Sequence, residues 1–127
     1  MSLACSNFTG NRGASFLFGR EAVRRMVPSG NGTLLFTGAS ASLRGRANFG
    51  AFNSAKAGLR TLAQAMAKEY GPKGIHVGHV VIDGAIAGDK IMRHLPELAK
   101  KLGEDGMINL EGNVESYVHL YRQSAAS

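Results

Sequence analysis

The sequence predicts an α/β fold in which helices pack on a parallel β-sheet. Two short apolar runs, at residues 33–37 and 75–82, have the composition of buried strands. Segments whose apolar residues recur at helical spacing precede, separate and follow these runs. A helix between two strands places them side by side in parallel, through a right-handed crossover. The order of elements therefore predicts the fold class.

The first predicted helix covers residues 11–27 and follows ten residues without periodicity. It carries apolar residues near helical spacing: Phe16, Leu17, Ala22, Val23 and Met26. The turn sequence Pro-Ser-Gly-Asn-Gly at 28–32 ends this helix. The first strand, at 33–37, comes directly after it.

The second predicted helix, at 50–70, follows a loop rich in Gly, Ser and Arg. Its apolar residues recur at threes and fours, and many are small: Ala51, Ala55, Leu59, Leu62, Ala63 and Met66. This apolar surface is wider than one sheet-facing stripe requires, so we expect a second face that packs on a partner. Ala63 and Ala67 are the residues we assign to that face. The sequence Gly-Pro-Lys-Gly at 71–74 ends the helix, and the second strand follows.

The remaining sequence predicts a helix over 89–102, interrupted at Pro96, and a last helix that Asn113 caps and that ends at Arg122. We expect one domain over residues 1–127. It would comprise an irregular end at 1–10, a core at 11–86 and a variable helical region at 87–127.

Composition excludes several classes of protein. The net charge is +6, but the basic residues form short, dispersed clusters without a nucleic-acid-binding motif, which argues against a nucleic-acid partner. The sequence contains neither a membrane-spanning segment nor a signal peptide. The single cysteine, Cys5, suits a reducing compartment, so we expect a cytoplasmic protein.

Residues 11–86 resemble the short-chain dehydrogenase/reductase family. The segments that carry the resemblance are GTLLFTGAS, AFNSAKAGLRTLAQAMAKEYGPKGIHV and HVVIDG. The resemblance implies a partial Rossmann-like fold, a doubly wound parallel sheet that lacks the N-terminal cofactor-binding strands. It also implies NAD or NADP as the cofactor and hydride transfer between carbonyl and alcohol as the reaction.

The family's chemistry uses an Asn, a Ser, a Tyr and a Lys, with Tyr and Lys four residues apart on one helix so that both enter one site. The resemblance places Lys56 at the lysine and Asn11 at the asparagine. Phe52 stands at the tyrosine position and has no hydroxyl. Ala39 is in register with the serine, and Ser40 is one residue away from it. We therefore take Lys56, Asn11 and Ser40 as the candidate catalytic residues.

The resemblance assigns cofactor binding to Lys56, Asp83 and Gly84, of which the last two replace the family's Pro-Gly, while the family's downstream threonine falls near Gly88. The family's TGxxxGxG phosphate loop is absent from this sequence. Residues 37–45 begin with Thr-Gly but do not lead directly into a helix, so we predict an ordinary polar loop there. No metal site is expected, because His76 and His79 lack a third ligand at useful spacing.

Two functions remain open at this point. One is an NAD(P)-dependent short-chain oxidoreductase that is inactive or impaired in this form. The other is a non-catalytic oligomerisation or scaffold module derived from the same family. In both cases we expect a homo-oligomer, either a dimer or a tetramer, built through the helices at 11–27 and 50–70.

Overall fold

The computed structural model describes residues 11–103 and 105–124, without the side chains of residues 11 and 12. The predicted irregular end at 1–10 lies outside the described residues. The described elements are, in chain order, α1 (Asn11–Met26), β1 (Gly32–Ala39), α2 (Gly50–Tyr70), β2 (Ile75–Ile82), α3 (Asp89–His94), α4 (Pro96–Leu102) and α5 (Leu110–Arg122). The predicted α/β order is confirmed.

The strands β1 and β2 form a two-stranded parallel sheet. Gly32 lies opposite Ile75, and Ala39 lies opposite Ile82. The first strand is longer than the predicted 33–37, because its ladder continues along all eight residues of β2. The sheet thereby carries the chain directly into the loop that begins at Ser40.

The core lies between the sheet and the helices α1 and α2. Its buried members are Val23, Leu34, Phe36, Leu59, Ala63, Met66, Tyr70 and Ile75. Side chains alternate between the two faces of a strand, so Leu34 and Phe36 point to the same face. Met66 and Ile75 are completely buried, and burying a side chain of this size stabilises the fold by about 1.5–3 kcal/mol. This packing holds α2 against the face of the sheet that carries Leu34 and Phe36.

One prediction about a helix surface is wrong. Ala63, assigned to a partner-facing stripe, is 3% exposed and belongs to the core of its own chain. On α1, Phe16 and Val23 are buried and Leu17 is 49% exposed. The exposed residues of α2 include a stripe of small and polar side chains, Ser54, Ala57, Thr61 and Ala65. Helical spacing alone could not decide which of two adjacent apolar stripes faces the sheet.

Most of the predicted helix boundaries are confirmed. The helix α2 spans Gly50–Tyr70 as expected, and a break before Pro96 separates α3 from α4. The prediction that Asn113 caps the last helix is wrong, since α5 begins at Leu110. The Oδ1 atom of Asn109 accepts a hydrogen bond from the Gly112 N–H at 2.9 Å, so Asn109 caps this helix.

The described chain divides into two compact units. The first contains α1, β1, α2 and β2, and the second comprises Asp83–Arg122 with α3, α4 and α5. The organisation into one domain over residues 1–127 stays a prediction. No helix in the described part of the chain combines the length and hydrophobicity needed to cross a membrane.

Candidate functional site

Lys56 lies in the first half of α2, and its side chain reaches back to the end of β1. Its Nζ atom donates a hydrogen bond to the Thr37 carbonyl oxygen at 3.2 Å. The same ammonium lies 5.8 Å from the centre of the Phe52 ring, within the range of a cation–π contact. Residues 52 and 56 therefore share one site, as their spacing of four on a helix predicts. Lys56 is half-buried, and Phe52 is 45% exposed.

Asn53 fixes the loop that follows β1 against α2. Its Nδ2 atom donates to the carbonyl oxygens of Ala41 at 3.1 Å and Arg44 at 3.2 Å. Its Oδ1 atom accepts a hydrogen bond from the Arg46 N–H at 3.0 Å. Both donors of the amide and its oxygen are thus bonded to this loop. This role of Asn53 was not predicted from the sequence, although its position next to Phe52, near the start of α2, could have suggested a contact with the preceding loop.

The loop begins near the Phe52 end of α2. Ala39 is the last residue of β1, and Ser40 opens a 3-10 turn over Ser40–Ser42 that packs against α2. Both candidate serine positions thus lie directly before the segment that Asn53 holds. Asn11 is the first residue of α1, but its side chain lies outside the described part of the structure, so its candidate role stays a prediction.

His79 lies beneath this site, on the sheet face that α2 covers. It is opposite Phe36 in the strand register, and its ring fills the space that a Cβ atom on Gly38 would occupy. Its Nε2 atom is buried and has no hydrogen-bond partner among the described residues. Burial lowers the pKa of His79, and the positive charges of Arg60 and Lys56 lower that pKa further. Both effects favour the uncharged imidazole in the folded protein.

The histidines of β2 do not form a metal site together. His76 and His79 are three residues apart on a strand, so their side chains leave from opposite faces of the sheet. Among the described residues, no group of three His, Cys, Asp or Glu side chains is placed to hold a metal ion. The chemistry of this site depends on Lys56 and on the groups around it.

No tyrosine of the first unit replaces the missing hydroxyl. Tyr70 lies fourteen residues after Lys56, which corresponds to about 21 Å along a helix axis. It is 8% exposed and belongs to the core. Burial raises the pKa of Tyr70, and its hydrogen bond to Glu69 and the charge of that carboxylate raise it further. The site around Lys56 can therefore bind and orient a polar group, whereas residue 52 has no proton to give.

The residues around Lys56 fit one end of a nicotinamide cofactor. The ammonium has three donors, of which the Thr37 carbonyl takes one, so it retains donors for ribose hydroxyls. The loop after β1 does not fit the phosphates. It forms the 3-10 turn Ser40–Ser42, and α2 begins only at Gly50. A phosphate cradle needs a glycine-rich turn that opens directly into a helix. The predicted loop at 37–45 is therefore confirmed only from Ser40 onward, because residues 37–39 belong to β1.

Asp83 and Gly84 open the second unit, directly after the last residue of β2. Both are exposed. Gly84 has a φ of 145°, in the region that glycine adopts and other residues avoid, so this backbone needs a glycine. The assignment of both residues to cofactor binding stays a prediction.

Comparison with known proteins identifies the family of this fold and site. The sequence model described as short chain dehydrogenase matches residues 6–95. That match covers well over half of the chain, and the helices and strands around Lys56 lie within it. The chain belongs to the short-chain dehydrogenase family. No curated protein matched it.

Solved structures agree with this assignment. A short-chain dehydrogenase from Rhodopseudomonas palustris is 38% identical, has a TM-score of 0.62, and aligns with 90% of this chain and 42% of its own. A candidate gluconate dehydrogenase from Agrobacterium tumefaciens is 28% identical with a TM-score of 0.69, covering 89% and 46% of the two chains. A candidate NAD(P)-dependent gluconate 5-dehydrogenase from Beutenbergia cavernae, with bound NADP at low occupancy, has the same fold at 22% identity and a TM-score of 0.72, covering 91% and 48%. The chain spans less than half the length of these relatives.

Substituting Phe52 with Tyr tests the shared pocket. The new phenol would lie near the Lys56 ammonium, which favours the phenolate, so we expect a pKa below the usual value of about 10. An ultraviolet difference titration against the parent chain isolates the added phenol from the native tyrosines. The matched control is the Phe52→Tyr/Lys56→Met double variant, in which the shift should disappear. An unshifted phenol in the single variant would contradict the shared pocket.

The lowered pKa of His79 predicts that stability depends on pH. Because the folded state resists protonation of this imidazole, the unfolded state binds more protons below the unfolded pKa of about 6.5. The free energy of unfolding should therefore fall as the pH is lowered from neutral through this value. Urea denaturation across that range measures the effect. The dependence of the unfolding free energy on pH should be weaker for His79→Phe. An equal dependence in the two proteins would show that other groups cause it.

Proposed function

We propose that this chain serves an NAD(P)-dependent short-chain oxidoreductase and that it is impaired in the proton-transfer step in its present form. The observation that carries the proposal is the Lys56 ammonium, held by the Thr37 carbonyl at 3.2 Å and facing the Phe52 ring at 5.8 Å. Lys56 is thus available to grip the nicotinamide ribose, as the family's lysine does. The neighbouring ring lacks the hydroxyl that transfers the proton.

The residues of this chain could bind the cofactor but could not complete the proton transfer. When bound, the cofactor supplies the hydride, and Lys56 would orient its ribose. Losing a positioned general acid typically lowers a rate by a factor of ~10²–10⁴. The loop after β1 presents a polar turn rather than a phosphate cradle, which further weakens cofactor binding by this chain.

Calorimetric titration with NAD, NADP and their reduced forms tests this proposal. We expect no binding to this chain tighter than about the millimolar range, because the anionic phosphates lack a helix N-terminal cradle here. A carbonyl-reduction assay should likewise show no turnover. A dissociation constant in the micromolar range, or measurable turnover, would show that the site is complete without the missing groups.

We also propose that the chain forms a homo-oligomer through α1 and α2, the helices that the family resemblance assigns to assembly. The supporting observation is the exposed surface of these two packed helices. On α1, Phe18 is 67% exposed and Leu17 is 49% exposed. On α2, the exposed stripe of Ser54, Ala57, Thr61 and Ala65 would let another helix approach closely. Large apolar side chains left in water favour association.

This assembly is compatible with either the oxidoreductase or the scaffold function. A mass measurement by light scattering at micromolar concentration distinguishes an oligomer from a monomer. A stable monomer would contradict the assembly proposal and would leave the proposal for Lys56 unaffected.

A further inference from the structure

The second unit contains a cavity of about 840 Å³ whose lining is mainly apolar. One wall is the segment from Gly84 to Gly88, and the other is formed by residues of α3, α4 and the start of α5. The volume lies within the range of roughly 300–1,000 Å³ that is typical of small-molecule sites. The cavity is thus large enough for a ligand of ordinary metabolite size.

The first wall is held in place by backbone pairing. The Ala87 N–H donates to the Ile108 carbonyl at 3.0 Å, and the Ile108 N–H donates to the Ala85 carbonyl at 2.8 Å. Ile86 and Ile108 form a parallel bridge at the same point. Two hydrogen bonds therefore fix an extended segment that presents Ala85, Ile86 and Ala87 to the cavity.

The opposite wall exposes large aliphatic side chains. Leu95 is 54% exposed, Leu98 is 41% exposed and Leu110 is 49% exposed, and all three line the cavity. A ligand with an apolar body would remove these side chains from water, which is the main source of favourable free energy in such sites. A polyol would have to give up its hydration without gaining hydrogen bonds from these residues.

The polar part of the lining favours an anion. Lys90 and His94 line the cavity and are four residues apart, so they lie on one face of α3. Neither forms a salt bridge to another described residue. The lining carboxylate, Asp89, is already paired with Arg93, whose guanidinium lies 3.5 Å from its Oδ2 atom. The charge that remains unpaired at this cavity is positive.

We propose that this cavity binds a small organic carboxylate with an aliphatic or aromatic body. The apolar body lies against Leu95 and Leu98, and Lys90 and His94 bind the carboxylate. This inference goes beyond the proposed oxidoreductase function, because it concerns ligand binding by the second unit and requires no cofactor. A cavity with this aliphatic lining should bind such a carboxylate in preference to a hydrophilic sugar acid.

The test is calorimetric titration of the full chain, without cofactor, against octanoate, octanol and gluconate. We expect octanoate to bind with a dissociation constant of about 1 mM or below, given the moderate size of the ligand. Octanol should bind about threefold to fivefold more weakly, as expected for the loss of a solvent-accessible ion pair. Gluconate, which retains the carboxylate but lacks the apolar body, should show no binding.

Substitutions in the two parts of the lining make the test specific. Leu98→Asn should weaken octanoate binding at least about tenfold, and Leu43→Asn, at a similarly exposed leucine of the first unit, should leave it unchanged. Lys90→Gln should remove the preference for octanoate over octanol, whereas Lys100→Gln, outside the cavity lining, should retain it. If Leu98→Asn does not fold, the comparison of Lys90→Gln with Lys100→Gln still tests whether the cavity binds the carboxylate.

Several outcomes would overturn the proposal. These are undetectable octanoate binding, gluconate binding as tight as octanoate binding, and equal octanoate binding by parent and Leu98→Asn. Release of an oligomer by Leu98→Asn with unchanged octanoate binding would also overturn it, since the aliphatic wall would then be a protein interface. Each of these results is independent of whether NAD(P) binds to the first unit.

Discussion

Replacing Ala63 with Glu is expected to unfold the first unit. Ala63 is 3% exposed and lies in a core cluster with Leu59 and Met66, so the new carboxylate would be buried among apolar side chains. Burying an unpaired charge or forcing the side chain out of a packed core costs roughly 4 kcal/mol or more. Urea denaturation followed by circular dichroism should show loss of the cooperative transition or a large reduction in its midpoint.

Ala65→Glu is the matched control, because it places the same side chain two residues further along the same helix. Ala65 is exposed, so its substitution should change the free energy of unfolding by no more than about 0.5 kcal/mol. If α2 packs against a second copy, Ala65→Glu should also yield a folded monomer in light scattering. Equal destabilisation by the two substitutions would contradict the assignment of Ala63 to the core face.

Replacing Gly74 with Ala is expected to produce the second large effect. Gly74 has a φ of 84°, and an added Cβ atom would lie 2.0 Å from the Gly30 carbonyl oxygen. The contact is with backbone, so no side-chain rotation can relieve it. Left-handed strain of about 1–2 kcal/mol, together with the displacement of the neighbouring turn, predicts a loss of roughly 2–4 kcal/mol. Chemical denaturation measures this loss directly.

Gly71→Ala provides the control for Gly74→Ala in the same turn. Gly71 has a φ of −53° and a ψ of −49°, and an added Cβ atom would meet nothing within 4 Å. Alanine can adopt this conformation and reduces the entropy of the unfolded chain, so stability should be unchanged or increase by about 0.4–1 kcal/mol. If both variants lose the same stability, the close approach of Gly74 to Gly30 is not the cause.

The elements of the fold could be predicted because each has a local signal. A turn rich in Gly and Pro precedes each strand, and the 21 residues of α2 lie between a loop rich in Gly, Ser and Arg and the turn Gly-Pro-Lys-Gly. The cap of α5 was missed because Asn109 and Asn113 are both acceptable caps, and only the hydrogen bond from Gly112 distinguishes them. The face of α2 was misjudged because alanine is common on both buried and exposed helix surfaces.

The candidate site could be predicted only in part. The pairing of Lys56 with Phe52 follows from helical spacing and is present in the structure. By contrast, the contact between Lys56 and Thr37 joins residues nineteen apart, and that between Gly38 and His79 joins two strands. These contacts depend on strand register and on how α2 lies over the sheet, which no local pattern specifies. The cavity of the second unit is likewise a product of tertiary packing.

The fit between Gly38 and His79 constrains the order in which these positions can change during evolution. An added Cβ atom on Gly38 would lie 2.2 Å from the Nε2 atom of His79, so a larger residue at 38 requires the imidazole to move aside or a smaller residue at 79. A chain that first loses the imidazole leaves a cavity and remains folded, whereas one that first gains a side chain at 38 meets a steric clash. The two substitutions are therefore expected to be epistatic, with the change at position 79 easing the later change at position 38.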